Sequence, residues 1–269
     1  MAFKIALNAG HGKNTAGKRC LKKLDKNQTR EWVLNSRICE KIEIKLKEYK
    51  GYNLVRLDDP TGEKDIALKT RTDRANNFKA DFYLSIHHNA GINGGTGGGI
   101  ETYIYTKGSK ASEEWQNALY SALIKHTGLK GNRADGTRKA NLHECRESNM
   151  PCVLVECGFM DSKTDVPIIL TNKFADQVAS ACVEVLVAKG KLVKKEDEEP
   201  IKLPSSIYFK KYTGKSGSIA DALKAIGAAY SFSYRKKIAT KNGIKLYIGT
   251  ATQNTKMLNL LKNGKLIKP

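Results

Sequence analysis

No stretch of this 269-residue sequence approaches the run of about 18–20 apolar residues that a membrane-spanning helix needs, so no membrane insertion is expected. A signal-peptide core is missing too. Met1-Ala2-Phe3-Lys4-Ile5-Ala6-Leu7-Asn8 is too short an apolar run, and no small-residue cleavage site follows it, so cytoplasmic synthesis without a signal peptide is expected. None of the six cysteines (Cys20, Cys39, Cys145, Cys152, Cys157 and Cys182) forms a Cys-x-x-Cys pair, and the spacings of Cys145, Cys152 and Cys157 match no zinc pattern. In a long chain without a secretion signal they read as reduced, buried small hydrophobes rather than as a disulfide framework. Acid is scarce towards the C-terminus, where residues 205–269 hold thirteen Lys or Arg and the single acid Asp221. The net charge of +20 excludes a polycationic partner and favours a polyanion: nucleic acid, a membrane surface or an anionic wall polymer.

The chain is long enough for one good core and a small satellite domain. Its first part alternates strand and helix patterns, which predicts an α/β fold with a mostly parallel twisted sheet flanked by helices. Strands are expected at Phe3–Leu7, Tyr52–Arg56, Phe82–Ile86, Ile100–Tyr105 and Cys152–Val155. Helices are expected over 29–47, 66–78, 111–126 and 172–188, where apolar residues recur near the helical period. Composition changes at 191–204, where Lys-Lys-Glu-Asp-Glu-Glu-Pro offers little to bury and reads as a charged linker. The domains are therefore expected at 1–190 and 205–269, the second a small, mainly helical module with Gly227, Gly243 and Gly264 at turns or caps.

Three segments each bring a candidate metal ligand close to the carboxyl end of a strand, where open α/β sheets place their sites. They are Asn8-Ala9-Gly10-His11-Gly12, Glu31 in the first turn of the following helix, and Ser85-Ile86-His87-His88-Asn89. Two imidazoles and a carboxylate leave one position of a tetrahedral zinc open to substrate. Neighbours on a strand point to opposite faces, so at most one of His87 and His88 belongs to such a set. Glu156 ends the apolar strand Cys152–Val155. A charge there needs a polar or metallic partner, and its carboxylate suits proton transfer from an activated water.

In chain order the motifs are Gly10-His11-Gly12, Glu31 with Leu34-Asn35, Arg56 with Asp58, and Leu68-x-x-Arg71-x-x-x-Ala75-Asn76-x-x-x-Ala80-Asp81. They continue with Ser85-Ile86-His87-x-Asn89-Ala90, Gly99-x-Glu101-Thr102-Tyr103 and Pro151-x-Val153-Leu154-Val155-Glu156-x-Gly158-Phe159. Over about residues 3–189 this series resembles the amidase-3 family of N-acetylmuramoyl-L-alanine amidases. The resemblance implies one zinc ion on His11, Glu31 and His87, which selects His87 over His88, with Glu156 as catalytic acid/base. It implies hydrolysis of the amide between N-acetylmuramic acid and L-alanine in peptidoglycan. Asn8, Asn35, Arg71 and Asn89 are expected to support the site or touch substrate, and His126 and His143 to be structural. The family usually has Asp-Pro-Gly-His where this chain has Asn8-Ala9-Gly10-His11. Asn8 is therefore expected to accept a hydrogen bond from a ligand without adding charge. The glycine-rich stretch 91–99 is expected to be a mobile rim of the cleft.

Residues 216–269 look like the small wall-binding modules found at the C-termini of phage endolysins and related autolysins. The expected partners are peptidoglycan and its anionic wall polymer. A basic patch with aromatics would also suit DNA, the alternative from another class, but no nucleic-acid motif accompanies it, so no nucleic acid is expected. The missing signal peptide fits a phage endolysin that reaches the wall through a membrane pore, with a sporulation or germination autolysin freed by cell lysis as the alternative.

Overall fold

The computed structural model describes residues 2–132, 135–195 and 207–269. In chain order its first unit comprises β1 (Phe3–Ala9), α1 (Glu31–Leu46), β2 (Tyr49–Lys50), β3 (Tyr52–Arg56), α2 (Leu68–Phe78), β4 (Phe82–Asn89), β5 (Ile100–Tyr105) and α3 (Lys110–Thr127). It continues with β6 (Thr137–Ala140), α4 (His143–Glu147), β7 (Cys152–Phe159), α5 (Val166–Ile169), α6 (Asn172–Gly190) and β8 (Val193–Lys194). Six strands form one sheet in the order β3-β1-β4-β7-β5-β6. All neighbours are parallel except β5, which runs antiparallel to β7. The expected α/β class with a mostly parallel sheet is thus what the chain adopts.

The period of two along each strand divides the interior. Ile5, Leu7, Phe82, Leu84, Ile86, Val153 and Val155 point to one face and pack with Ile38, Ile42, Leu119, Val178 and Leu186 of α1, α3 and α6. Ala6, Tyr83, Cys152 and Leu154 point to the other face, towards Ala75 of α2 and Cys145 of α4. Asn8, Ser85 and His87 continue that second face at the carboxyl ends of β1 and β4, so the sheet carries a polar row directly beyond an apolar one.

β6 and α4 are additions to the sequence reading. Neither has a long periodic pattern of its own. The first unit extends to Lys195, because β8 pairs with β2 through Tyr49–Lys194 and Lys50–Val193. Residues 191–195 of the expected linker are therefore held to the first unit, and its remainder, 196–204, lies outside the described residues. All six cysteines are free and buried. Among the described residues no helix is long and apolar enough to cross a membrane.

The second unit has its own core. Here α7 (Ile219–Ala225), α8 (Phe232–Lys241) and α9 (Ala251–Lys262) enclose Ile219, Leu223, Ile238, Met257 and Leu261, with Phe209, Tyr247 and Leu266 closing the cluster. Ser218, Ser231 and Thr250 cap the three helix N-termini, and Thr250 with Gln253 forms a reciprocal capping box. Gly227, Gly243 and Gly264 follow the helices with positive φ, as the sequence predicts.

Candidate metal centre

His11 leaves the end of β1 with φ of 66°, a left-handed conformation that costs a non-glycine residue about 1–3 kcal/mol. Arg71 stabilises the bend. This guanidinium, 1% exposed, donates to the carbonyls of Ala9 (2.8 Å) and His11 (3.0 Å) and also reaches Asp65 (3.1 Å). Gly10 allows the approach of β4, since a Cβ added there would lie 2.0 Å from Cε1 of His87.

Glu31 opens α1 and is buried, with its carboxylate between two imidazoles. His87 Nδ1 lies 3.2 Å from Oε1 and His11 Nε2 lies 3.4 Å from Oε2. Ligand atoms of His11, Glu31 and His87 all fall within 4.8 Å of one another, so the three sequence-predicted ligands do converge. Lys18 adds a positive charge 3.7 Å from Glu31 Oε2. Burial works against the Glu31 carboxylate, but hydrogen bonding and charge from His87, with His11 and Lys18 behind, hold its pKa below the ordinary range. Burial lowers His11 to about 4 despite Glu31. His87 goes the other way: burial would lower it, yet the carboxylates of Glu144 and Glu31 on its two sides raise it to about 10.

His88 points to the opposite side, as strand alternation requires. Its Nδ1 is 2.7 Å from Asn35 Oδ1, while Asn35 Nδ2 donates to the Gly10 carbonyl at 3.1 Å. Asn35 and Arg71 thus brace the backbone around the ligands. Asn8 departs from expectation: it bonds no candidate ligand. Its Oδ1 accepts from Arg71, and its Nδ2 donates to Ser85 Oγ (2.9 Å) and to Glu144 Oε1 (2.8 Å). The strand direction explains this, because Asn8 lies three residues before His11 and level with Ser85, two residues before His87, in the β1–β4 register. Asn89 donates to Glu101 Oε2 at 2.9 Å.

Glu156 lies beside His87 in the β4–β7 register, opposite Glu101 on β5. Its Oε2 is shut off from water and finds no hydrogen-bond partner among the described residues. Burial, opposed chiefly by the charge of His87, raises its pKa to about 7. A group poised there can both accept and return a proton near neutral pH. The 91–99 loop is tied at its start to Asp161. Asp161 Oδ2 accepts from the backbone N–H groups of Gly91, Ile92 and Asn93 at 2.7–2.8 Å, the nest that successive amides offer an anion. His126 pairs with Glu184 at 2.7 Å and His143 approaches Thr72 at 3.4 Å, both away from the three ligands.

A cleft of about 330 Å³ opens beside the ligands, lined by His11, His87, Arg71, Glu144, Ile66 and Leu68 among others. Against known proteins, the profile described as N-acetylmuramoyl-L-alanine amidase matches residues 5–188. The chain belongs to the N-acetylmuramoyl-L-alanine amidase family. It is 34% identical over 177 residues to a sporulation-specific N-acetylmuramoyl-L-alanine amidase of Bacillus subtilis, a match that covers 65% of this chain and 64% of that protein. The chain therefore spans just under two thirds of that relative. It is 29% identical to an endolysin of Bacillus phage SPP1, over 92% of this chain and 93% of the endolysin. Among solved structures, an N-acetylmuramoyl-L-alanine amidase from Clostridium difficile 630 superposes with a TM-score of 0.62 at 33% identity, over 70% of this chain and 96% of that one.

Within this amidase domain the donor set suits a divalent cation. Two imidazoles and one carboxylate are the chemistry of an open zinc site, and Glu31 Oε2, buried without a hydrogen-bond partner among the described residues, is an atom a cation would satisfy. Glu144 is the residue that the sequence reading missed. It sits on a five-residue helix with no apolar periodicity, and only the folding of α4 against α2 and β7 brings it beneath His87.

Proposed function

We propose that this chain is a peptidoglycan hydrolase that cleaves the amide between N-acetylmuramic acid and L-alanine, with one zinc ion held by His11, Glu31 and His87. The observation that carries the reading is the convergence of these three side chains beside Glu156 in a chain of this family. Zinc in such a site supplies Lewis acidity, which makes water nucleophilic near neutral pH and draws charge from an amide carbonyl. Glu156 takes a proton from the attacking water and returns it to the L-alanine nitrogen, which otherwise leaves poorly as an anion. Asn35 and Arg71 fix the backbone that presents His11, so little reorganisation accompanies attack.

Residues 205–269 would hold the enzyme on its insoluble substrate through peptidoglycan or its anionic polymer, with residues 1–195 as the catalytic unit and the charged stretch after Lys195 as the tether. Such tethering raises effective concentration even when the module binds weakly. The similarity to a phage endolysin along almost the whole chain favours an endolysin made in the cytoplasm and released to the wall at lysis. The match to the sporulation amidase, which covers 65% of this chain, keeps an autolysin as the second reading. Mass spectrometry of digested wall tests the bond: new L-alanine amino termini, lost on chelation and regained with Zn²⁺, are expected. New reducing sugar ends, or cleavage between stem amino acids, would reject this reading.

A further inference from the structure

Glu144 is 3% exposed and lies outside the set of expected ligands, yet it receives more side-chain hydrogen bonds than they do. Tyr83 Oη donates to its Oε1 at 2.6 Å and Asn8 Nδ2 donates to the same oxygen at 2.8 Å. Ser85 Oγ donates to Oε2 at 3.1 Å. These three donors come from β1 and β4, on the face that carries His87, and they aim the remaining side of Oε2 at His87 Nε2, 3.4 Å away. That separation falls short of a closed hydrogen bond, and His87 Nε2 has no other partner among the described residues. The opposite nitrogen, Nδ1, faces Glu31. His87 therefore has two unlike sides, one towards the other ligands and one towards a fixed buried carboxylate.

We propose that Glu144 is a positioning residue for the metal centre: it accepts the Nε2–H of His87, so that Nδ1 is the nitrogen offered to zinc, and Asn8 is its matched partner. A ligating histidine whose other N–H is held by a carboxylate is fixed in tautomer and orientation and is a more basic ligand. The match with Asn8 follows from donor chemistry. The Asn8 amide can accept from Arg71 and donate to Glu144 at once, whereas an aspartate in its place would set a second carboxylate 2.8 Å from the first with no proton between them. The sole negative charge in the Arg71–Asn8–Glu144 chain thus stands on α4, beneath His87, rather than at the end of β1.

This inference rests on the metal reading of the site, and the test separates the two. The full chain is loaded with Zn²⁺, its affinity is measured by competition with a chromophoric chelator, and the histidine tautomers are read by long-range ¹H–¹⁵N NMR. A parent chain that binds no zinc removes the metal reading itself. A parent chain that binds zinc through His87 Nε2, with the proton on Nδ1, overturns the proposal whatever the variants do. Glu144→Gln is expected to lower affinity on the order of 10–100-fold and to change the visible spectrum of the Co²⁺-loaded site. Asn8→Asp alone is expected to weaken binding as well. The pair Asn8→Asp with Glu144→Gln, in which the carboxylate on β1 meets an amide donor on α4, is expected to recover the thermal midpoint and the fold but only part of the affinity. Zinc affinity within twofold of the parent in a folded Glu144→Gln chain, or in the double variant should the single one not fold, overturns the role of Glu144.

Discussion

Replacing Glu156 by glutamine keeps the shape of the side chain and removes its capacity to carry a proton. His87, its neighbour in the β4–β7 register, loses no hydrogen bond, because Glu156 Oε2 has no partner among the described residues. The three ligands should therefore hold zinc as before. Turnover should fall by about 10²–10⁴, the usual worth of a positioned acid/base, which is about 3–5 kcal/mol in the barrier. Stability should move the opposite way in the metal-free protein. The folded chain binds the Glu156 proton more tightly than the unfolded chain, since its pKa rises from 4.5 to about 7. Ionising it therefore costs nothing below about pH 4.5 and up to about 3 kcal/mol once the pH exceeds 7. Glutamine escapes that cost. With chelator present, the variant and parent should melt together at pH 4, and the variant should melt a few degrees higher at pH 8. The assays are peptide release from purified wall, zinc content of the purified chain and melting at the two pH values. Release at more than a tenth of the parental rate would remove Glu156 from the mechanism, and a lower midpoint at pH 8 would refute the account of its burial.

Gly10→Ala should displace His87, because the new Cβ would sit 2.0 Å from its ring; a loss of zinc affinity and about 1–3 kcal/mol of stability are expected. Unchanged zinc affinity in the purified variant would contradict the packing described at the end of β1. The isolated segment 205–269, which contains its own core of Ile219, Leu223, Ile238, Met257 and Leu261, should co-sediment with purified walls and resist added salt. Retention on duplex DNA but not on walls, lost steeply as salt rises, would point to phosphate contacts instead.

Candidate site residues can be named along the chain because each sits in a local signal, His11 between glycines after a strand, Glu31 at a helix start, His87 and Glu156 at the ends of apolar strands, but it is the family resemblance that joins them into one set and selects His87 over His88. The four long helices of the first unit, α1, α2, α3 and α6, are legible from apolar spacing, whereas the short α4 and α5 are not. Asn8 shows where that reasoning stops. Its neutral side chain was visible, and its partner was not, since the hydrogen bonds to Arg71 and Glu144 span 63 and 136 residues. The Gly-rich loop meets the same limit: its composition speaks for flexibility, while the acceptor for the amides of Gly91, Ile92 and Asn93 is Asp161, about 70 residues away.

The sequence by itself determined the α/β pattern, the metal-ligand and acid/base candidates and the basic character of the C-terminal unit, because periodicity, turn chemistry and charge are properties of short segments. Only the tertiary structure decided which polar groups complete the site. Pairing β1, β4 and β7 side by side turns one face of three separate strands into a continuous polar row, and α4 closes over it. A carboxylate from an unremarkable stretch thereby becomes the buried neighbour of His87, a candidate metal ligand, since desolvation and hydrogen bonding act between groups that meet in space and carry no signature in the spacing of the chain.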